Sequence, residues 1–124
     1  MKEYNASHLN ELAMDIILYA GDCRNLVNEA FKAASDGKDY KEIKELFHQA
    51  RLIITKAHKL QTDVIQSTIF NEKQEMTMLF IHAQDTLMTI NSELFISENV
   101  LQLFCQNRID MHMKLNGIEG ERYE

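Results

Sequence analysis

The sequence predicts an all-α fold, an up-down-up bundle of three long antiparallel helices forming one domain over residues 1–124. Three observations predict it. The chain of 124 residues has no proline and only four glycines, so nothing of that kind interrupts long helices or builds elaborate loops. Apolar residues recur at steps of three and four along three long runs, the period of one helix face. The stretches between those runs are short and polar, which suits antiparallel neighbours.

The first helix is expected over about 8–35, with Ser7 as its N-cap. Its stripe is Leu9, Leu12, Ala13, Ile16, Ile17, Ala20, Cys23, Val27, Ala30, Phe31 and Ala34. Gly37 stands where a left-handed residue closes a helix. Gly21, inside the run, costs roughly 1 kcal/mol against alanine. A close approach by another backbone would offset that cost.

The second helix is expected over about 40–70, opening at Asp39 with Glu42 as the return partner of a capping box. Ile43, Leu46, Phe47, Ala50, Ile53, Ile54, Ala57, Leu60 and Val64 mark its apolar stripe. It fades near Phe70 and Asn71, where Asn71-Glu72-Lys73-Gln74 makes a polar connection.

The third helix is expected over about 75–112, carrying Met76, Met78, Leu79, Ile81, Ala83, Leu87, Met88, Ile90, Leu94 and Phe95. Nothing stops it before Gly117, although Ser97 offers a place for a new cap. The tail from 116 to 124 is expected to fray. Leu46, Phe47, Ile53 and Ile54 lie on more than one side of the second helix. A three-helix bundle has too little interior for all such residues, and this points to association between helices of different chains.

Composition narrows the function. A hydrophobic fraction of 45% supports a packed core. Thirteen Lys and Arg against 19 Asp and Glu give a formal charge of -6, so the basic footprint of a nucleic-acid binder is missing. No apolar run approaches the roughly 18 residues of a membrane span. The N-terminus has no apolar signal-peptide core. Cys23 and Cys105 have no CxxC spacing, which indicates neither a zinc ribbon nor a disulfide framework. A cytoplasmic protein is expected.

Chemistry has few places to sit. His8 and His112 lie toward the ends and are expected to be solvated. Glu45-Leu46-Phe47-His48 has the Glu-x-x-His spacing of di-iron bundles, but no second copy exists. In His82-Ala83-Gln84-Asp85, the carboxylate of Asp85 falls in register with Met78, Ile81, Met88 and Ser92. A carboxylate on an apolar stripe needs a partner, a metal or a proton. Either His82 is a core histidine bonded to an aspartate one turn away, or it is a nucleophile and Asp85 has a separate partner. Ala57-His58-Lys59-Leu60-Gln61-Thr62 is the rival string. It resembles the Ala-His-x-Leu-Lys-Gly motif of histidine-phosphotransfer domains, with Gln61 and Thr62 in the Lys and Gly places.

Three blocks in order carry a wider resemblance: Tyr19-Ala20-Gly21-Asp22-Cys23-Arg24, Ala57-His58-Lys59-Leu60-Gln61-Thr62 and His82-Ala83-Gln84-Asp85-Thr86-Leu87-Met88-Thr89. They are similar to Tyr-Ala-Gly-Asp-Ala-Arg, Ala-His-x-x-Gln-Thr and His-Ala-Gln-Asp-His-Leu-Met-Thr of the lactose/cellobiose-type enzyme IIA of the phosphoenolpyruvate-dependent sugar phosphotransferase system. The resemblance spans about Leu9 to Phe95. It implies that His82 is phosphorylated by the phosphocarrier protein HPr and passes the group to a cysteine of enzyme IIB. It also implies a homotrimer with Asp85 of each chain meeting around one divalent ion, Mg²⁺, on the three-fold axis. Thr86 stands where the family has a second histidine, and a hydroxyl there can donate to phosphate but supplies no charge. The sugar is selected by the membrane component, enzyme IIC, and lies outside this chain's own reading. Two other functions remain at this point: a signalling phosphotransfer module using His58, and a helical scaffold without chemistry.

Overall fold

The structure, a computed structural model of the chain, describes residues 3–122, with side chains through residue 117. It has three helices and, among the described residues, no strand: α1 (Ala6–Ser35), α2 (Tyr40–Phe70) and α3 (Met78–Arg122). None of them is long and apolar enough to cross a membrane.

The helix ends follow from local chemistry. Asn5, and not Ser7, caps α1: its Oδ1 accepts the His8 amide at 2.8 Å. The other end closes as a Schellman turn. Gly37 takes φ +76, its amide donates to the Ala34 carbonyl at 3.1 Å, and the Lys38 amide reaches Ala33 at 2.9 Å. Asp39 does precede α2, but its side chain accepts no capping bond. The Glu42 amide donates instead to the Asp39 carbonyl at 3.0 Å, so the expected capping box does not form.

α3 starts at Met78, three residues later than expected. Thr77 sets this start, because its Oγ1 accepts the Phe80 amide at 3.1 Å. The residues just before it are held elsewhere. Gln74 clamps the N-terminal strand of chain, accepting from the Tyr4 amide at 3.1 Å and donating to the Tyr4 carbonyl at 2.6 Å. α3 passes unbroken through Ser97. The expected stop near 112 is corrected, since α3 continues to Arg122; of the tail beyond it, residues 123 and 124 lie outside the described residues. Gly117 weakens a helix without ending it, because only Gly37 takes the left-handed turn among the described glycines.

The core is a column of small and branched side chains. Ala13, Ala20 and Ala30 of α1 and Ala50 and Ala57 of α2 are buried in it, together with the larger Ile16, Ile43, Ile54, Phe80, Leu87 and Leu94. Alanines allow close helix approach, and the larger residues exclude water. α1 packs against both other helices, while α2 and α3 meet far less. Polar ties fix the register. Arg24 forks onto Glu93 at 2.9 and 2.7 Å, Arg51 pairs with Glu98, and Arg108 donates to the Lys38 carbonyl at 3.0 Å. Arg108 is therefore level with the α1–α2 turn. Beyond it α3 projects by about 20 Å at 1.5 Å per residue.

Gly21 corrects a further expectation. A Cβ built there meets nothing within 4 Å, so among the described residues no backbone of another helix approaches it.

Candidate functional site

His82 sits in the second turn of α3, with its imidazole exposed. Its neighbours in sequence explain the placement. Phe80 and Ala83 are fully buried and lock the first turns of α3 onto the bundle, which leaves His82 on the outer side. The helix, not a loop, fixes the ring's origin, and Thr77 fixes the helix. Side chains on a helix lean toward its N-terminus, so a group on His82 lies over the first turn of α3. There the unpaired amides and the helix dipole favour negative charge.

Asp85 is also exposed, three residues along. The ion pairs among the described residues are Arg24–Glu93 and Arg51–Glu98, so none joins Asp85 to His82. The core pair weighed from the sequence is not formed. Around Asp85 the stripe read from the sequence faces outward: Met78 is 86% exposed, and Ile81 and Met88 are 51% each. The carboxylate thus interrupts an apolar surface outside the bundle. Next to it, between α2 and α3, lies a groove of ≈ 400 Å³ lined by Arg51, Met88, Asn91, Ser92, Leu94 and Phe95.

The other histidines lie apart from this place. His58 is half-buried on α2. The Arg51–Glu98 pairing of antiparallel helices sets it level with Asn91, about 13 Å along α3 from His82. His8 is exposed, its ring 5.2 Å from that of Tyr4. His48 is exposed on α2, and His112 on α3 lies 3.3 Å from the Asn116 amide. No group of three or more His, Cys, Asp or Glu able to hold a metal occurs among the described residues of one chain. Glu45 and His48 therefore gain no companions.

The methionines near His82 divide. Met76 packs against the core, whereas Met78 is open to solvent. Thr86 is not free either, because its Oγ1 donates to the His82 carbonyl at 3.0 Å.

Residues of the first block tie α1 to its neighbours. Tyr19 lies under the Lys56 ammonium, 5.8 Å from ring centroid to nitrogen. Arg24 joins α1 to Glu93, whose carboxylate raises the guanidinium pKa above its ordinary value. Burial first, then Glu93, pushes the Cys23 thiol up to about 11, with Arg51 opposing. That thiol is protonated and unreactive at neutral pH. Gln74 and Thr77 were missed as positioning residues. Thr77 had a signal, a hydroxyl residue just before a periodic apolar run; the Gln74 clamp spans the chain and had none.

Residues 11–105 match the family described as the lactose/cellobiose-specific IIA subunit of the PTS system. Among curated proteins, the chain is 34% identical over 96 residues to the lichenan-specific phosphotransferase enzyme IIA component of Bacillus subtilis, covering 77% of this chain and 86% of that protein. It is 32% identical over 110 residues to the N,N'-diacetylchitobiose-specific EIIA component of Escherichia coli, covering 89% and 87%. Among solved structures, the cellobiose-specific enzyme IIA of Bacillus anthracis superposes with a TM-score of 0.72 at 32% identity, covering 80% of this chain and 90% of that one.

Proposed function

The chain belongs to the lactose/cellobiose-specific IIA family of the sugar phosphotransferase system, and we propose that His82 is the residue on which it carries a phosphoryl group. The observation that carries this reading is the exposed imidazole of His82, held on a helix that packing and the Thr77 cap keep in place. A ring nitrogen of His82 attacks the phosphorus of phospho-HPr. The new nitrogen–phosphorus bond forms as the bond to HPr breaks, and the HPr imidazole leaves. A cysteine thiolate of enzyme IIB then attacks the same phosphorus and the His82 imidazole is released.

Transfer of this kind asks for in-line approach and stabilisation of the equatorial oxygens. His82 supplies the first through its fixed helix and open outer side. The first turn of α3 supplies part of the second, and the docked partner the remainder. The partners place the protein in the cytoplasm, serving a membrane enzyme IIC that imports a lactose/cellobiose-type sugar. The half-buried His58 lacks such an open position, and nothing favours the signalling module.

The assembly is proposed as a homotrimer in which Asp85 of each chain meets on the three-fold axis around one Mg²⁺. The donor set fits: one chain offers a single carboxylate beside exposed Met78, Ile81 and Met88, with no ion-pair partner among the described residues, and one carboxylate alone does not hold the ion. Three would supply hard oxygen ligands, with water completing the shell. The ion would neutralise the converging charges, and the apolar residues beside Asp85 would bury one another.

Labelled phosphoenolpyruvate with enzyme I and the matching HPr tests the carrier. Label is expected on the wild-type chain and on His58→Gln, and absent from His82→Gln. Label that persists in His82→Gln and disappears in His58→Gln would overturn the assignment.

A further inference from the structure

We propose that Tyr4 and Gln74 are positioning residues for phosphoryl transfer at His82: together they form a strap that seats the start of α3 and so fixes where the imidazole stands. The inference rests on the reading of His82 given above.

Three observations lead there. The first is where the polar ties of α3 lie. Among the described residues, the side chains of α3 that bond to α1, α2 or the turn between them are Glu93, Glu98 and Arg108. All three follow His82 in the chain. Ahead of His82, the long-range polar tie is the clamp between Gln74 and Tyr4. α2 leads into α3 but packs against it far less than α1 does, so the connection between them depends on other holds.

The second observation is how fully Gln74 is used. Its Oε1 accepts the Tyr4 amide at 3.1 Å, and its Nε2 donates to the Tyr4 carbonyl at 2.6 Å and to the Glu75 carbonyl at 3.0 Å. A side-chain amide has one oxygen and two N–H groups, and each has a partner here. The backbone of Gln74 is fixed as well. Its amide donates to the Asn71 carbonyl at 3.0 Å, and Asn71 Oδ1 accepts the Lys73 amide at 3.1 Å. Glu75, Met76 and Thr77 then lead directly into α3, so a shift at Gln74 is passed to the Thr77 cap and to the first turn.

The third is the anchor. Tyr4 lies ahead of α1, outside any helix, yet it is only 7% exposed and belongs to the core. Asp63 of α2 is near enough that its charge, after burial, raises the pKa of the Tyr4 hydroxyl. The arm thus reaches from α1 to α2 and to the α2–α3 connection, at the end of the bundle where His82 stands. In-line transfer is sensitive to such seating, since a misplacement of about 1 Å can cost about a hundredfold in rate.

The test uses the full chain and phospho-HPr in single-turnover label transfer. Gln74→Ala and Tyr4→Ala are expected to lower the limiting rate by about tenfold. The half-saturating concentration of phospho-HPr should stay within about twofold, because docking is untouched. Tyr4→Phe keeps the buried ring and both backbone bonds, and should transfer like the wild-type chain. Arg108→Ala removes the tie to the Lys38 carbonyl and controls for a general loss of stability; its limiting rate should equal that of wild type. Hydrogen exchange at the amides of residues 78–83 should quicken in Gln74→Ala and not in Arg108→Ala. A wild-type rate or unchanged exchange in Gln74→Ala, or an equal loss of rate in Arg108→Ala, would overturn the strap. Label on His82 in those experiments leaves the carrier reading standing. Wild-type label found on another residue would overturn that reading, and the strap with it.

Discussion

The Thr86 hydroxyl donates its hydrogen to the carbonyl of His82, one turn back along α3, at 3.0 Å. By the resemblance of its motif, Thr86 stands in the place of the family's second histidine, where a hydroxyl can donate to a phosphoryl group. In the structure the hydrogen is already used by the helix backbone, a common arrangement for threonine. Thr86→Val should therefore alter label uptake from phospho-HPr by no more than about twofold, under 0.5 kcal/mol of barrier. Thr86→His adds a donor on the His82 face and should change the rate more than Thr86→Val does. Rapid-quench measurement of label on both variants checks this. A Thr86→Val loss of about a hundredfold would place the hydroxyl in the transfer step.

Cys23 gives the protein an alkaline weakness. Its thiol ordinarily titrates at 9.0, and in the folded chain burial and then Glu93 push it up to about 11. Between those values the unfolded chain has lost the proton that the folded chain keeps. The folded state then binds more protons, so stability falls as pH rises from 9 toward 11. Urea midpoints at pH 7.5 and 10 should show the decline, and Cys23→Ala should flatten it. The raised Tyr4 pKa acts in the same direction above 10. Both cysteines should also resist iodoacetamide in the native state and react once unfolded.

The three helices were legible because nothing in the chain opposes them: no proline, and stripes whose Ile16, Ile43, Ile54, Leu87 and Leu94 all fall inside. The outward side of α3 was legible in part. Periodicity placed Asp85 among Met78, Ile81 and Met88 correctly, but a stripe does not say whether it faces its own bundle or another chain. α3 has two such faces, and the sequence shows both without ranking them. Ends were harder. Asn5 and Ser7 can both cap α1, and the choice depends on Leu9 having to face the core. Gln74 reaches Tyr4 across the whole length of the first two helices, and no local pattern encodes that contact.

Gly21 should be replaceable with profit. It lies in the middle of α1, and an alanine Cβ there meets nothing within 4 Å. Gly21→Ala removes the conformational freedom of glycine from the unfolded chain and should stabilise by about 0.5–1 kcal/mol. Thermal melts check it, with label transfer run on the same preparation. A lower melting temperature would mean that something outside this chain, a second copy or a docked protein, rests against Gly21.

Asp85 should make the assembly respond to chelation. In the proposed trimer three carboxylates converge on one ion, and removing the ion leaves like charges facing each other. EDTA should then lower the sedimenting mass of the wild-type chain at micromolar concentration, and added Mg²⁺ should restore it. Asp85→Leu takes away the ligands and the repulsion together, replacing them with an apolar side chain between exposed Ile81 and Met88. Substituting a buried charge cluster by packed apolar groups is often neutral or stabilising. Asp85→Leu should therefore bind no metal, stay assembled in EDTA and still accept phosphate on His82. Metal analysis alongside sedimentation separates the outcomes. If Asp85→Leu retains the same metal content as the wild-type chain, the ion is held elsewhere and the role assigned to Asp85 is lost.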